Sequence, residues 1–218
     1  MTATDQAPTR AAVLALREER VVVGEAYDFL DEKRLLLAAE LLRQLDAYAR
    51  LSARIEALAR AAGRQLAAAV GYHGLEGLSV YPAAMLAGAQ VGMTQRNFMG
   101  VTLVETVLEE TPAEPEARRA AANPSPEAVQ CGAAFNELLQ QAARVAGISG
   151  NLYRLLAEYR LTERRARALE NVIIPEIEQA LRVMDTHLEE LDFEDAVRVR
   201  LKAELIKRPA DNRNAGRS

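Results

Sequence analysis

Two histidines, one cysteine and an uneven spread of arginines and carboxylates are the residues of this chain with chemistry to offer. A carboxylate-bridged metal site in a helical bundle uses Glu-x-x-His, which sets both ligands on one helix face. Here Val70 stands three residues before His73, and Met184 three before His187. Neither histidine has the neighbour that metal chemistry requires; His187 reads as a residue of a helical seam and His73 as a loop residue. Cys131 has no histidine at a local spacing that would make it a nucleophile, and it reads as a small apolar residue or an idle thiol in a reducing compartment. No phosphate-binding glycine loop and no dinucleotide fingerprint occurs. The residue types point away from an enzyme, and no catalytic, cofactor-binding or metal-binding residue is expected.

Charge is the more informative chemistry. Arg154, Arg160, Arg164, Arg165 and Arg167 cluster in the C-terminal half, and Arg43, Arg50 and Arg54 form a second group in the N-terminal half. Acidic residues gather nearer the chain ends: Glu25, Asp28, Asp31 and Glu32, with Glu189, Glu190, Asp192, Glu194 and Asp195. One reading is two solvated faces. The other is a banded surface that meets a surrounding protein of changing sign, where long-range complementarity guides contact. A formal net charge of -4 supplies no global basic field, so nucleic acid is not expected as a partner. No run of residues approaches the roughly 18 apolar positions of a membrane span, and the opening residues lack a signal-peptide pattern. A cytoplasmic chain, peripheral to any membrane, is the expectation.

The elements that must carry these charges are long helices. Alanine, leucine, glutamate and arginine dominate, and tryptophan is absent, a profile of helices rather than of an aromatic-rich globule. With Val13 as position a, the a series runs Val13, Arg20, Tyr27, Arg34, Leu41, Tyr48, Ile55, Ala62, and the d series Leu16, Val23, Leu30, Leu37, Gln44, Leu51, Leu58, Gln65. A sustained seven-residue repeat is a coiled-coil signature. Thr9 is the expected N-cap, and Gly71, Gly74 and Gly77 mark where the helix stops. A second helix opens with Ser125 as N-cap and Pro126 at the first helical position. Its a series includes Phe135, Leu156, Ile177 and Met184, and its d series Leu138, Leu152, Ile173 and His187, with no change of phase.

The fold class expected is all-α, a long antiparallel two-helix coiled coil formed by the N-terminal helix 9–71 and the C-terminal helix 125–207. A small mixed head, 72–124, joins them, with a short strand or hairpin near Met99 to Val104, and a disordered tail follows at 208–218. Pro175 lies inside the second helix, at the outermost position of its heptad. A proline there gives up its hydrogen bond on the solvent side and bends the helix towards its partner, which makes Pro175 a shaping device; the alternative is a tolerated kink. Pairing a layers with d layers gives a register in which Val13 faces Leu201, Tyr27 faces His187, Leu37 faces Ile177 and Gln44 faces Glu170. Arg20 then faces Glu194 as a candidate seam pair, and Arg43, Arg50 and Arg54 lie alongside the arginines of 154–167.

Two stretches carry a resemblance: "PTRAAVLALREERVVVGEAYDFLDEKRLLL", 8–37, and "TERRARALENVIIPEIEQALRVMDTHLEELDFEDAVRVR", 162–200. Both are similar to the D-subunit family of V/A-type rotary ATPases. Pro8, Thr9, Arg10, Lys33, Arg34 and Leu37 match the family's opening segment. Thr162, Arg164, Arg165, Ala168, Leu169, Glu170, Ile174 and Pro175 match its C-terminal pattern, and "RNFMGV", 96–101, resembles its head element. Ala166 and Arg167 depart from the family's Val-Asn, and Val197 takes an aromatic position. The resemblance implies a non-catalytic central rotor shaft transmitting torque between a hexamer of catalytic and non-catalytic subunits and the membrane rotor. It further implies a small stalk partner, the F subunit, and a socket subunit that links the shaft to the membrane ring. Arg10, Arg43, Arg50, Arg54, Arg160, Arg164, Arg165 and Arg167 are then candidate contacts with the hexamer or a partner. A coiled-coil stalk of a protein-export ATPase, or a free helical scaffold, are the competing readings.

Overall fold

The computed structural model describes residues 9–79, 89–109 and 125–214. Parts of the expected head, 80–88 and 110–124, and the last tail residues, 215–218, lie outside the described residues. The elements are α1 (Arg10–Ser79), β1 (Gln90–Phe98), β2 (Val101–Glu109), α2 (Pro126–Ala168), a π-helical turn (Leu169–Ile173) and α3 (Ile174–Asn214). The fold is mostly helical with a small antiparallel hairpin, as the heptads and the apolar run near Val101 indicate. Both expected N-caps form: Thr9 Oγ1 accepts the Ala12 N–H at 3.1 Å, and Ser125 Oγ accepts the Ala128 N–H at 3.2 Å. At the far end of α1 the helical backbone breaks at Gly74 (φ 72°, ψ 166°), a conformation open to glycine alone. Helix α3 continues to Asn214, past Lys207, where the coiled-coil helix was expected to end.

The chain divides into two compact units, one of Met1–Glu32 with Glu163–Ser218, the other Lys33–Thr162. In the first, Val13, Leu16, Ile177 and Met184 form a buried cluster, with Ala12, Val23, Ala180, Leu181 and Leu188 packed against it. Full burial of each large apolar side chain contributes about 1.5–3 kcal/mol. On α1 every a and d residue of the expected seam is buried or half-buried except Arg20.

The second helix keeps the expected seam residues Ala166, Ile177, Ala180 and Met184 inward and departs from the expectation at Glu170, Ile173 and His187, which are exposed. Its inward apolar residues in the first unit are Ala166, Leu169, Ile174, Ile177, Ala180, Leu181, Met184 and Leu188. Ala180 and Leu181 share one layer, and the other steps are of three or four save for the five-residue step from Leu169 to Ile174, which spans the π turn. There the Ile174 N–H bonds to the Leu169 carbonyl, five residues back. Pro175 is the physical reason: it has no N–H to give, and its ring collides with the carbonyl four residues earlier in a regular helix. A wider turn takes up the misfit; across it Leu169 and Ile174 turn inward in place of Glu170 and Ile173, while Ile177 and Met184 stay where the heptads put them. His187 is exposed, 3.7 Å from Glu190, and Leu188 takes its place inward.

The expected register does not hold. Arg20 does not meet Glu194; its Nη2 lies 2.7 Å from Glu178 Oε1, and Glu194 holds Arg198 at 3.1 Å. Arg10 to Asp192 (2.9 Å) and Arg17 to Asp185 (3.1 Å) complete a row of exposed rungs between α1 and α3. Residues 191–204 are exposed throughout, so Leu201 is not a seam partner of Val13.

In the second unit, Leu37 of α1 and Leu155 of α2 bury with Val101 and Leu103 of β2, flanked by Leu41, Phe98, Met99 and Tyr159. Leu37 is thus covered by the hairpin and α2, not by Ile177. The hairpin pairs Gln90 with Glu109 through Phe98 with Val101. Its two-residue loop has Met99 at φ 50° and Gly100 at φ 86°, the positive values that match the twist of a tight hairpin. Asn97 Oδ1 accepts the Gly100 N–H at 3.0 Å and holds the turn.

Candidate partner interface

The hairpin is seated by three polar contacts, all within the second unit. Asn151, buried on α2, accepts the Val104 N–H with Oδ1 at 2.8 Å and donates from Nδ2 to the Val104 carbonyl at 2.9 Å. One side-chain amide thereby acts as the missing neighbour strand of β2. Thr106 Oγ1 donates to the Ala143 carbonyl, and a Cβ at Gly147 would collide with that threonine, so the close approach of β2 to α2 requires glycine. On the α1 side Glu40 is buried and binds three donors: Arg43 through Nε and Nη2 at 2.8 and 2.6 Å, Gln44 at 2.9 Å and Arg96 of β1 at 2.7 Å. The Arg96 guanidinium also stands over the Phe98 ring, 5.9 Å from its centroid. The Arg43 hydrogen bonds, helped by Gln44 and the charges of Arg43 and Arg96, outweigh desolvation and lower the Glu40 pKa from 4.5 to about 2. The same pairing raises that of Arg43.

The candidate arginines sort into two kinds. Arg10 is engaged by Asp192, Arg43 by Glu40, Arg50 by Asp46 at 2.5 Å, Arg54 by Glu137 at 3.1 Å and Arg167 by Glu163 at 2.7 Å. Arg54 therefore lies beside Glu137, and not alongside the 154–167 group as the expected register had it. Among the described residues, no carboxylate comes within 4.0 Å of the guanidinium of Arg160, Arg164 or Arg165, and all three are exposed. Arg160 belongs to the second unit, Arg164 and Arg165 to the first. Pro175 is exposed at the start of α3.

Sequence reasoning missed a surface and a network. On the second unit an apolar groove of about 340 Å³ is lined by Leu41, Leu42, Leu45, Tyr48, Leu152, Tyr153 and Leu156, with Ser149. Leu42 and Tyr153 are 67% and 76% exposed. The spacing Leu35, Leu42 and Leu45 beside the main seam was the available signal. The Glu40–Arg96 pair left none, because its members are 56 residues apart in sequence. Among the described residues no cluster of three histidine, cysteine, aspartate or glutamate side chains could hold a metal ion. His73 Nε2 stands 2.5 Å from Ser125 Oγ, beside the helix cap. No helix among the described residues is long and apolar enough to cross a membrane.

The family model for the ATP synthase D subunit matches residues 12–203. The chain belongs to the ATP synthase D-subunit family. Its relatives include the V-type ATP synthase D subunit of Thermotoga neapolitana, 29% identical over 93% of this chain and 98% of the relative. The A-type ATP synthase D subunit of Thermococcus sibiricus is 28% identical over 93% and 95%, and that of Pyrococcus furiosus is 34% identical over 55% and 56%. The family match takes in the Arg17–Asp185 and Arg20–Glu178 rungs between α1 and α3, the π turn with Pro175, and the hairpin with its Glu40 and Asn151 anchors.

Proposed function

We propose that this chain is the central shaft of a V/A-type rotary ATPase, a non-catalytic subunit that carries torque between a nucleotide-hydrolysing or ATP-synthesising hexamer and an ion-translocating membrane rotor. Family membership across residues 12–203 is the observation that carries this reading. The construction of the helical arms supports it. Rungs from Arg10, Arg17 and Arg20 to Asp192, Asp185 and Glu178 bridge α1 and α3 over a packed seam. Each exposed rung adds only ~0–1 kcal/mol of stability, yet each resists the sliding of one helix along the other, which is what a shaft under torsion needs.

Pro175 and the π turn before it then act as the shaping element. A π-bulge and a proline are both recognised causes of helix bending, and a bent shaft presents a different face to each catalytic site in turn. Arg160, Arg164 and Arg165 are contacts for acidic surfaces of the surrounding hexamer, and the apolar groove beside Tyr153 is a seat for a stalk partner such as the F subunit. A socket subunit couples the shaft to the ring, and the chain works at the cytoplasmic face as a peripheral member of the complex. The test is affinity recovery of the tagged chain from its own cells, with mass spectrometry of what comes with it. A nucleotide-binding hexamer and a small globular partner are expected. Export components, or the chain with itself alone, would refute the proposal.

A further inference from the structure

We propose that the outer edge of β1 is a strand-addition site. It takes an extended segment of a partner polypeptide with apolar residues at alternate positions and a lysine or arginine on the opposite face. The hairpin has two edges, and the fold treats them differently. That of β2 lies against α2, where Asn151 occupies both backbone groups of Val104 and Thr106 Oγ1 donates to the Ala143 carbonyl. In an antiparallel pair the residues opposite each other alternate between exchanging hydrogen bonds and turning them outward. Val104 turns both groups away from β1, so its partner Gln95 turns both away from β2, and the period of two places Val91, Met93 and Asn97 in the same position. Among the described residues nothing bonds to these outward groups. All of β1 is exposed except Gly92 and Phe98, which are half-buried.

An unpaired strand edge is normally blunted by proline, lysine, a bulge or short length. The nine-residue β1, QVGMTQRNF, has none of these. Its single charge, Arg96, is drawn into the ion pair with Glu40. Along one face of the edge Val91 and Met93 are exposed by 48% and 66%, an apolar pair two residues apart. On the other face Gly92 leaves a gap, and the Glu109 carboxylate lies across it, where a Cβ would collide with it. Among the described residues no cation pairs with Glu109. An added strand therefore finds a ladder of free backbone groups, an apolar patch on one face and a lone carboxylate on the other. That is the pattern of β-augmentation, in which main-chain bonds bind and alternate side chains select.

The test uses the full chain and a synthetic nine-residue peptide alternating threonine and valine, with one threonine replaced by lysine. Fluorescence anisotropy of the labelled peptide reads affinity, and residue-resolved hydrogen exchange reads the edge. Binding should slow exchange at the amides of Val91, Met93, Gln95 and Asn97. Met93→Pro removes an outward donor without touching the β1–β2 ladder, since proline is accepted where the N–H faces solvent. It should weaken binding at least tenfold. Glu109→Lys, which leaves the backbone alone, should weaken the lysine peptide and favour one carrying glutamate. No binding, or equal binding by parent and both variants, overturns the proposal. Protection of the same four amides in the free chain does so too, because the edge is then already taken by 80–88, 110–124 or a second copy.

Discussion

Replacing Glu40 with glutamine tests the anchoring of the hairpin to α1 most sharply, because its effect carries a sign in pH. The carboxylate is almost fully buried and titrates at about 2 instead of 4.5. A depression of that size corresponds to about 3 kcal/mol of preference for the charged form in the folded state. The Arg43 and Arg96 side chains are 62% and 42% exposed, so solvent screens part of it, and about 2–3 kcal/mol is the expected contribution. Because the folded pKa is depressed, this stability is fully present above pH 4.5 and is lost as pH falls from there towards 2. Glu40→Gln keeps one acceptor but turns an amide NH₂ towards a guanidinium. Urea unfolding followed by far-UV circular dichroism should show a loss of about 2–3 kcal/mol at pH 7, shrinking to less than about 1 kcal/mol near pH 2.5. A cost that is the same at both pH values would refute the electrostatic account. So would a cost under about 0.5 kcal/mol at pH 7, the usual range for a surface change away from any special contact.

Asn151→Ala leaves two buried backbone groups of Val104 without partners, and should cost about 2–6 kcal/mol at 1–3 for each group, read by the same unfolding curves. Gly147→Ala gains up to ~1 kcal/mol of helix propensity but forces Thr106 aside at about 1–3 kcal/mol. The net loss should turn into a gain when Thr106→Ala is added. Met99→Gly, which removes the strain of a side chain at φ 50°, should stabilise the hairpin by about 1 kcal/mol, seen as slower exchange at the Leu103 amide. Reversing Arg164 and Arg165 together to glutamate should lower the yield of the assembled complex or its coupled ATPase rate. Unchanged values of both would remove these residues from the contact surface.

Much of this architecture is written in the periodicity. The a and d residues of α1 point inward because a seven-residue repeat leaves one face no other place to go, and Thr9 and Ser125 cap because their hydroxyls reach the donors of the first turn. On α3 the a positions Ile177 and Met184 were legible and the residues between them less so, for a specific reason. Ile173 and Ile174 are adjacent, as are Ala180 with Leu181 and His187 with Leu188, so the sequence offers either member of each pair; beside the π turn Ile174 turns inward, Ala180 and Leu181 pack together, and Leu188 replaces His187. The expected register fails at Arg20, which sits at a seam position but needs no buried partner. Its long side chain instead carries the guanidinium out to Glu178 at the surface. The Glu40, Arg96 and Asn151 anchors depend on which helix face the hairpin reaches, and that is fixed by Gly147 and the apolar pair Val101 and Leu103, not by any local spacing. Arg164 and Arg165 remained visible throughout, because nothing among the described residues neutralises them.

Rotation is the central claim, and the single cysteine makes it observable. Cys131 is partly exposed on α2, so a maleimide-linked bead can report the angle of this chain within a surface-fixed hexamer. On addition of ATP the shaft account predicts unidirectional turning of the bead, pausing three times per revolution. Hydrolysis that proceeds while the Cys131-linked bead only fluctuates about one angle would contradict it.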